Sequence, residues 1–115
     1  NFYPDEEKLG VSDPGAIECA IRYLQMDPFY HRSGYNKERL LRALKKIRLS
    51  DAHKSQLVHI MLNVVDSSYR REFRFYCRLA AVLESDFLVA ELLNRASSQN
   101  EGVRRRAGWM LEACR

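Results

Sequence analysis

The chain is poor in the residues that mark several common classes of protein. Of its 115 residues only five are Gly and three are Pro, which excludes a collagen-like fibre and a low-complexity linker. The hydrophobic content of 46% excludes an intrinsically disordered segment. No apolar run approaches the ~18 residues that a membrane-spanning helix needs. We therefore expect one soluble folded domain, which is what a chain of this length can form.

Cysteine is also scarce, and its spacing fits no known metal or redox motif. Cys19, Cys77 and Cys114 are separated by 58 and 37 residues, whereas zinc knuckles and redox pairs place two cysteines close together in the chain. Each of the three lies in an apolar segment with helical periodicity. We predict buried thiols and a reducing, intracellular location, either cytoplasmic or nuclear.

The residue patterns of catalytic and metal sites are missing as well. His53 and His59 are six residues apart, which turns them towards different sides of a helix, and His31 stands alone in a predicted loop. The sequence contains no HExxH, no GxSxG and no glycine-rich phosphate loop. The sequence therefore predicts a protein that is not an enzyme and that holds no metal and no cofactor.

What the chain does have is basic charge, distributed unevenly. The net charge is +4, yet residues 1–28 contain six acidic and two basic residues and so sum to −4, which leaves +8 for the remainder. Arg outnumbers Lys by fourteen to five, a preference that favours bidentate or stacked contacts. A basic body of this kind favours acidic partners.

Apolar residues recur at helical spacing in six segments, and no segment alternates as a β-strand does. Asp13-Pro14 is a helix start signal, Asp27-Pro28 is a stop signal, and Ser50 and Ser85 are typical N-caps. The predicted helices span about 14–25, 36–48, 51–66, 69–84, 86–97 and 101–114, with Asp66 or Ser68 capping the fourth. We predict an all-α fold, with residues 1–12 as an N-terminal arm and residues 13–115 as a single helical domain.

The fourth and sixth segments share one pattern at an offset of 34 residues. Asp66 aligns with Asn100, Arg70 with Arg104, and further apolar positions follow at equal spacing. At these residues the chain resembles HEAT-like repeats of the armadillo type, whose second helix typically reads Asp-x-x-Val-Arg-x-x-Ala-x-x-x-Leu. Here the sequence reads Asn100-Glu-Gly-Val-Arg-Arg-Arg-Ala-Gly-Trp-Met-Leu and Asp66-Ser-Ser-Tyr-Arg-Arg-Glu-Phe. The resemblance lapses over 13–48, where Asn36 and Arg39 replace the expected Arg and Ala.

The resemblance implies a short right-handed α-solenoid of three antiparallel helix pairs, at about 13–48, 51–84 and 86–114. Other helix-pair arrays and a compact helical bundle stay open as alternatives. In such repeats the Asp and the following Arg form a ladder between neighbours. The resemblance therefore implies structural roles for Asp66, Arg70, Asn100 and Arg104.

A line of cations remains once those structural candidates are set aside. Arg71, Arg74 and Arg78 share one helix face, and Lys37 and Arg105 occupy the same repeat position as Arg71. We predict that these five residues, the basic band, contact a partner. They lie on the second helix of each predicted helix pair. Two alternatives are a solvated face partly neutralised by neighbouring glutamates, and a face covered by the acidic residues 1–7.

The basic band favours an acidic protein or peptide as the partner, and the alternative is a nucleic acid held by its phosphates. No helix-turn-helix, zinc-finger or RNP signature supports base readout. The loop residues Phe29, Tyr30, His31, Arg32 and Tyr35 are of types enriched at interfaces and form a second predicted surface. Their aromatic rings could instead fill the gap between the first two helices.

Overall fold

A computed structural model describes residues 3–30 and 32–115, and these residues form seven α-helices and no β-strand. The all-helical prediction is confirmed. The helices are α1 (Glu6–Gly10), α2 (Pro14–Met26), α3 (Ser33–Lys46), α4 (Asp51–Ser67), α5 (Phe73–Val82), α6 (Asp86–Arg95) and α7 (Glu101–Ala113).

Four helices begin where short polar side chains can cap them. The side-chain oxygens of Asp13, Ser50, Ser85 and Asn100 each accept a hydrogen bond from the backbone N–H three residues later, at 3.0–3.1 Å. These bonds satisfy donors that a helix start otherwise leaves unpaired. At the other end of α2, Asp27 takes a left-handed conformation (φ 47°) directly before Pro28. The predicted stop at Asp27-Pro28 is confirmed.

The structure departs from the prediction at the start of three helices. Residues 6–10, expected to lie in an irregular arm, form α1, because the Asp5 carboxylate caps its first turn and Leu9 is fully buried. Helix α3 starts at Ser33 instead of Asn36. Helix α5 starts at Phe73 instead of residue 69, because α4 continues through Ser67, so neither Asp66 nor Ser68 caps the next helix.

The helices pack in a regular order. Helix α5 packs between α3 and α7, while α4 contacts α2 and α6, and each of the consecutive pairs α2 with α3, α4 with α5 and α6 with α7 is in contact. Helix α1 packs on α2 and α3. The buried side chains of all seven helices form one core, within a compact body that measures 41 × 32 × 18 Å. Within the described ranges, no helix combines the length and apolarity needed to cross a membrane.

Candidate binding surface

The first feature of the α3–α5–α7 side is a small cavity between α3 and α5, which we call the basic groove. It measures about 150 Å³. It is lined by Leu41, Arg42, Lys45, Lys46, Phe75 and Arg78. Four of the six lining residues are cations and none is an acid, so the groove is a local concentration of positive charge.

The ring of Phe75 organises this charge. The guanidinium carbons of Arg74 and Arg78 lie 5.0 and 4.9 Å from the centre of the ring, and that of Arg42 lies 6.0 Å away. Each distance falls within the range of cation–π attraction. Phe75 itself is 7% exposed, so the ring is a fixed platform. Two helices therefore place three guanidinium groups around one ring.

None of these cations is neutralised by another described residue. Arg42, Lys45, Lys46, Arg74 and Arg78 make no hydrogen bond or ion pair within residues 3–30 and 32–115, although five other arginines of the chain pair with carboxylates. Like charges gathered at short range repel one another, and only solvent and salt offset that repulsion here. The groove is therefore electrostatically suited to an anion.

The second feature is a cluster of three rings beside α5 and α7, the aromatic patch, formed by the exposed Tyr69 and Trp109 and the buried Phe73. The ring centres lie 6.1–6.4 Å apart. They line a cavity of about 340 Å³ together with Arg74 and Cys77. Tyr69 is 64% and Trp109 47% exposed. Arg74 borders both features, because it lines the patch and lies over Phe75.

Four of the five residues predicted to form the basic band lie at the surface. Arg71, Arg74, Arg78 and Arg105 are exposed side chains. The prediction is wrong for Lys37. Its side chain is 1% exposed, and its ammonium lies 2.8 Å from Asp27 Oδ1 and 3.0 Å from Glu72 Oε2. A charge so deeply buried must be paired, and here its partners are inside the protein. Lys37 therefore cannot contact a partner at the surface.

Lys37 belongs instead to a cluster of four charges that joins α2, α3 and the start of α5. Its other members are Asp27, Arg70 and Glu72, and the guanidinium of Arg70 contacts both carboxylate oxygens of Asp27. Two cations and two anions balance, so the cluster carries no net charge. Burial, with the charge of Asp27 as the next cause, raises the pKa of the Tyr76 hydroxyl beside it above the ordinary value.

The four residues to which the repeat resemblance gives structural roles do not form the implied ladder of Asp and the next Arg, and have other partners. Asp66 pairs with Arg95 of α6 through two hydrogen bonds of 2.8 and 3.0 Å, while Arg70 binds Asp27. Asn100 caps α7, and Arg104 donates to the carbonyl of Ser98 at 2.8 Å.

The remaining members of the basic band have local contacts. Arg105 forms an ion pair of 2.9 Å with Glu101 on its own helix. The guanidinium of Arg71 lies 3.9 Å from the centre of the Tyr35 ring. Arg71 therefore connects the start of α5 to the second predicted surface.

One ring of that second predicted surface contacts the charge cluster. The Phe29 ring is 71% exposed, yet Lys37 Nζ lies 4.5 Å and Arg70 Cζ 5.3 Å from its centre. The hydroxyl of Tyr30 is hydrogen bonded to that of Tyr23 on α2. Arg32 is exposed in a left-handed conformation (φ 71°), and His31 lies outside the described residues. Phe29 and Tyr30 thus have packing roles besides their exposure.

The acidic N-terminal segment meets α3 at a point beside the groove. Glu6 accepts hydrogen bonds from Arg39 at 2.9 Å and from the Tyr3 hydroxyl at 2.8 Å. It shares a neighbouring cavity with Arg42 and Lys46. The residues that line the basic groove do not include Glu6, so the described part of this segment leaves the groove open.

Sequence reasoning missed Arg42 and Arg106. Arg42 stands three and four residues before Lys45 and Lys46, a spacing that places all three on one side of α3. Arg106 is 7% exposed and donates to the carbonyls of Val65 and Ser67 at 2.8 and 3.1 Å. Its position in the apolar stripe of α7, between Val103 and Met110, is the signal that could have found it.

No group of three or more His, Cys, Asp or Glu that could hold a metal ion occurs in the part of the chain that the structure describes. Burial, with a smaller contribution from Cys114, raises the pKa of the Cys77 thiol to about 12. A thiol with such a pKa stays protonated at neutral pH and is a poor nucleophile. Comparison with family models, with curated proteins and with solved structures finds no match to this chain.

Proposed function

We propose that this protein is a non-catalytic interaction domain that binds an acidic protein or peptide on its α3–α5–α7 side. The observation that carries the proposal is that the basic groove, whose cations have no ion pair among the described residues, lies next to the aromatic patch with its exposed Tyr69 and Trp109. Arg74 connects the two features. Three of the proposed contact residues were also predicted from the sequence: Arg71, Arg74 and Arg78. The structure adds Arg42, Lys45 and Lys46.

The residue types on this side support a protein partner. Arg, Tyr and Trp are enriched at interfaces and dominate their binding energy. The patch offers an aromatic cavity of about 340 Å³ for an apolar side chain, and the groove offers guanidinium groups for carboxylates. Apolar contact would supply affinity, and paired Arg–carboxylate contacts would supply orientation.

We propose further that the helices form a short HEAT-like solenoid of three antiparallel pairs. The contacts between helices support this arrangement. Helix α5 contacts both α3 and α7, and α4 contacts both α2 and α6. Stacked repeats contact mainly their neighbours, as these helices do. In that arrangement α3, α5 and α7 are the second helices, which line the concave side.

A nucleic acid is the second candidate, and one observation favours it. Exposed Tyr69 and Trp109 lie beside Arg74, and exposed rings next to cations can stack bases of a single strand. The two candidates differ in salt dependence. Neutralised phosphates give an affinity that falls steeply with salt, with a log–log slope of about 0.7 per contact on single strands.

The test is a fluorescence anisotropy titration with two kinds of labelled probe at two salt concentrations. One probe is a short peptide rich in Asp and Glu with a single Leu, and the other is random single-stranded DNA or RNA. We expect the peptide to bind with a shallow salt dependence. A triple variant, Arg71→Glu, Arg74→Glu and Arg78→Glu, should abolish its binding.

The matched control reverses three exposed cations on other helices, with Lys8→Glu, Arg22→Glu and Lys54→Glu. This variant has the same net charge as the first, so any difference between them reports position and not total charge. Equal peptide binding by the two variants would overturn the proposed surface. Tighter, salt-steep binding of the nucleic acid would favour the second candidate instead.

A further inference from the structure

We propose that the basic groove is a site for a phosphoryl group, presented by a phosphorylated peptide. This inference rests on the proposed function, because it names the chemical group that the acidic partner would bring to α3 and α5. Four properties of the groove support it: the number of its cations, their proximity, their residue types and the size of the cavity.

The convergence of charge favours an anion with more than one charge at one point. Arg42, Arg74 and Arg78 surround a single ring, and Lys45 and Lys46 line the same cavity as Arg42 and Arg78. A carboxylate carries one negative charge, whereas a phosphorylated side chain carries about −1.5 to −2 at neutral pH. The phosphoryl group therefore relieves more of the repulsion among these cations than a single carboxylate does.

The cations come from two helices and approach from different directions. Arg42 belongs to α3, and Arg74 and Arg78 belong to α5. A guanidinium donates two parallel hydrogen bonds to a pair of oxygens, and a phosphoryl group has three terminal oxygens to accept them. A planar carboxylate has only two oxygens. Tetrahedral geometry thus suits arginines that approach from both walls of a groove.

The size of the groove argues against a nucleotide. Its volume of about 150 Å³ is below the ~300 Å³ at which pockets for small organic ligands begin. A nucleic acid strand presents single charges spaced along its length, which requires a line of cations. Here four cations with no ion pair among the described residues, Arg42, Lys45, Lys46 and Arg78, line one cavity. The groove therefore fits one group of high charge better than a backbone.

The aromatic patch is placed to receive a neighbouring residue of the same peptide. Arg74 lines the patch, and its guanidinium lies 5.0 Å from the centre of the Phe75 ring, which lines the groove. A peptide with its phosphoryl group in the groove would bring a nearby apolar side chain to Tyr69, Phe73 and Trp109. The ligand is then a phosphorylated residue with a large apolar residue close to it in the sequence.

The experiment compares three fluorescein-labelled peptides that are identical except at one position, which is phosphoserine, serine or glutamate. Each peptide also contains one Leu near that position. Anisotropy titrations use the full chain, its variants Arg42→Gln and Arg78→Gln, and the control Arg22→Gln, which removes an exposed arginine of α2. Gln keeps part of the aliphatic stem and removes the charge, and circular dichroism of each variant verifies that it is folded.

We expect the phosphoserine peptide to bind at least about tenfold more tightly than the serine peptide, and clearly more tightly than the glutamate peptide. Arg42→Gln and Arg78→Gln should each lose most of that difference, whereas Arg22→Gln should keep it. Inorganic phosphate added as a competitor should weaken binding of the phosphoserine peptide more than sodium chloride does at equal ionic strength.

Three results would overturn the inference. Equal binding of the phosphoserine and glutamate peptides would show a general carboxylate site, which contradicts the phosphoryl inference and leaves the proposed function standing. If an oligothymidine without terminal phosphate binds more tightly than the phosphoserine peptide, and this binding is lost in Arg42→Gln and Arg78→Gln, the groove is a nucleic acid site. Failure of all three peptides to bind would contradict the inference and the proposed function together.

Discussion

The ammonium nitrogen of Lys37 lies 2.8 Å from Oδ1 of Asp27, so a cation of α3 contacts the residue that ends α2. The same nitrogen also lies 3.0 Å from Oε2 of Glu72, at the start of α5. Three helices meet at this one buried lysine. The proposed binding surface lies on two of these helices, α3 and α5, and this junction joins them.

Replacement of Lys37 by Met should destabilise the protein by about 3 kcal/mol, because removal of one partner leaves a buried carboxylate uncompensated. Glu72 is the residue most affected, since it is 4% exposed while Asp27 keeps Arg70. Urea denaturation measures the change. Lys54→Met, at an exposed position of α4, is the control and should stay within about 0.5 kcal/mol. Equal stability of the two variants would contradict a structural role for Lys37.

Arg106 should also be structural, although it stands among surface arginines in the sequence. It donates from α7 to the carbonyls of Val65 and Ser67, which belong to the last turn of α4 and have no partner within that helix. Arg106→Met should cost about 2 kcal/mol, and Arg106→Lys should not restore it, because an ammonium cannot reproduce the planar fork. Denaturation midpoints of both variants test this, and full rescue by Lys would refute the two-carbonyl role.

Stability should fall above about pH 9 in a way that depends on Cys77. Burial raises the pKa of this thiol to about 12, so the native state keeps its proton while the unfolded chain releases it. The unfolded state then binds fewer protons, and the free energy of unfolding decreases by at most about 1.4 kcal/mol per pH unit. Denaturation of wild type and Cys77→Ala on either side of pH 9 measures the effect. An equally steep loss in Cys77→Ala would assign it to other groups, such as Tyr76.

Trp109 should report directly on occupancy of the aromatic patch, since it is the only tryptophan of the chain. Its ring is 47% exposed, so a partner that covers it should shift its emission to shorter wavelength. Trp109→Ala should weaken peptide binding by about tenfold or more, as expected of an interface anchor. Phe87→Ala, at another exposed ring on α6, should leave binding unchanged. A peptide that binds without any change in Trp109 emission would contradict contact at the patch.

The helices could be predicted from the sequence because their signals are local. Apolar spacing and the caps at Asp13, Ser50 and Ser85 require only neighbouring residues, and the structure confirms them. The late start of α5 could not be found in this way. The segment before α5 contains Arg70 and Glu72, which pair with Asp27 and Lys37, and these partners are distant in the sequence.

The candidate surface was predicted only in part, for a related reason. Helical spacing correctly placed Arg71, Arg74 and Arg78 among exposed residues, but equal repeat position wrongly added Lys37. Lys37 precedes Leu40, Leu41 and Leu44 at the spacing of the buried stripe, and Arg106 holds the same kind of position on α7. A cation on an apolar stripe points into the core, whichever repeat position it occupies.

The most direct test of the proposed surface is a nuclear magnetic resonance titration of the isotope-labelled chain with the acidic, leucine-containing peptide. Resonances are followed for every helix, including the Nε–H groups of the arginines. We expect shifts concentrated on α3, α5 and α7, at Arg42, Arg74, Arg78 and the indole of Trp109, with α2, α4 and α6 almost unchanged. Shifts concentrated on α2, α4 and α6, with these four side chains unaffected, would contradict it.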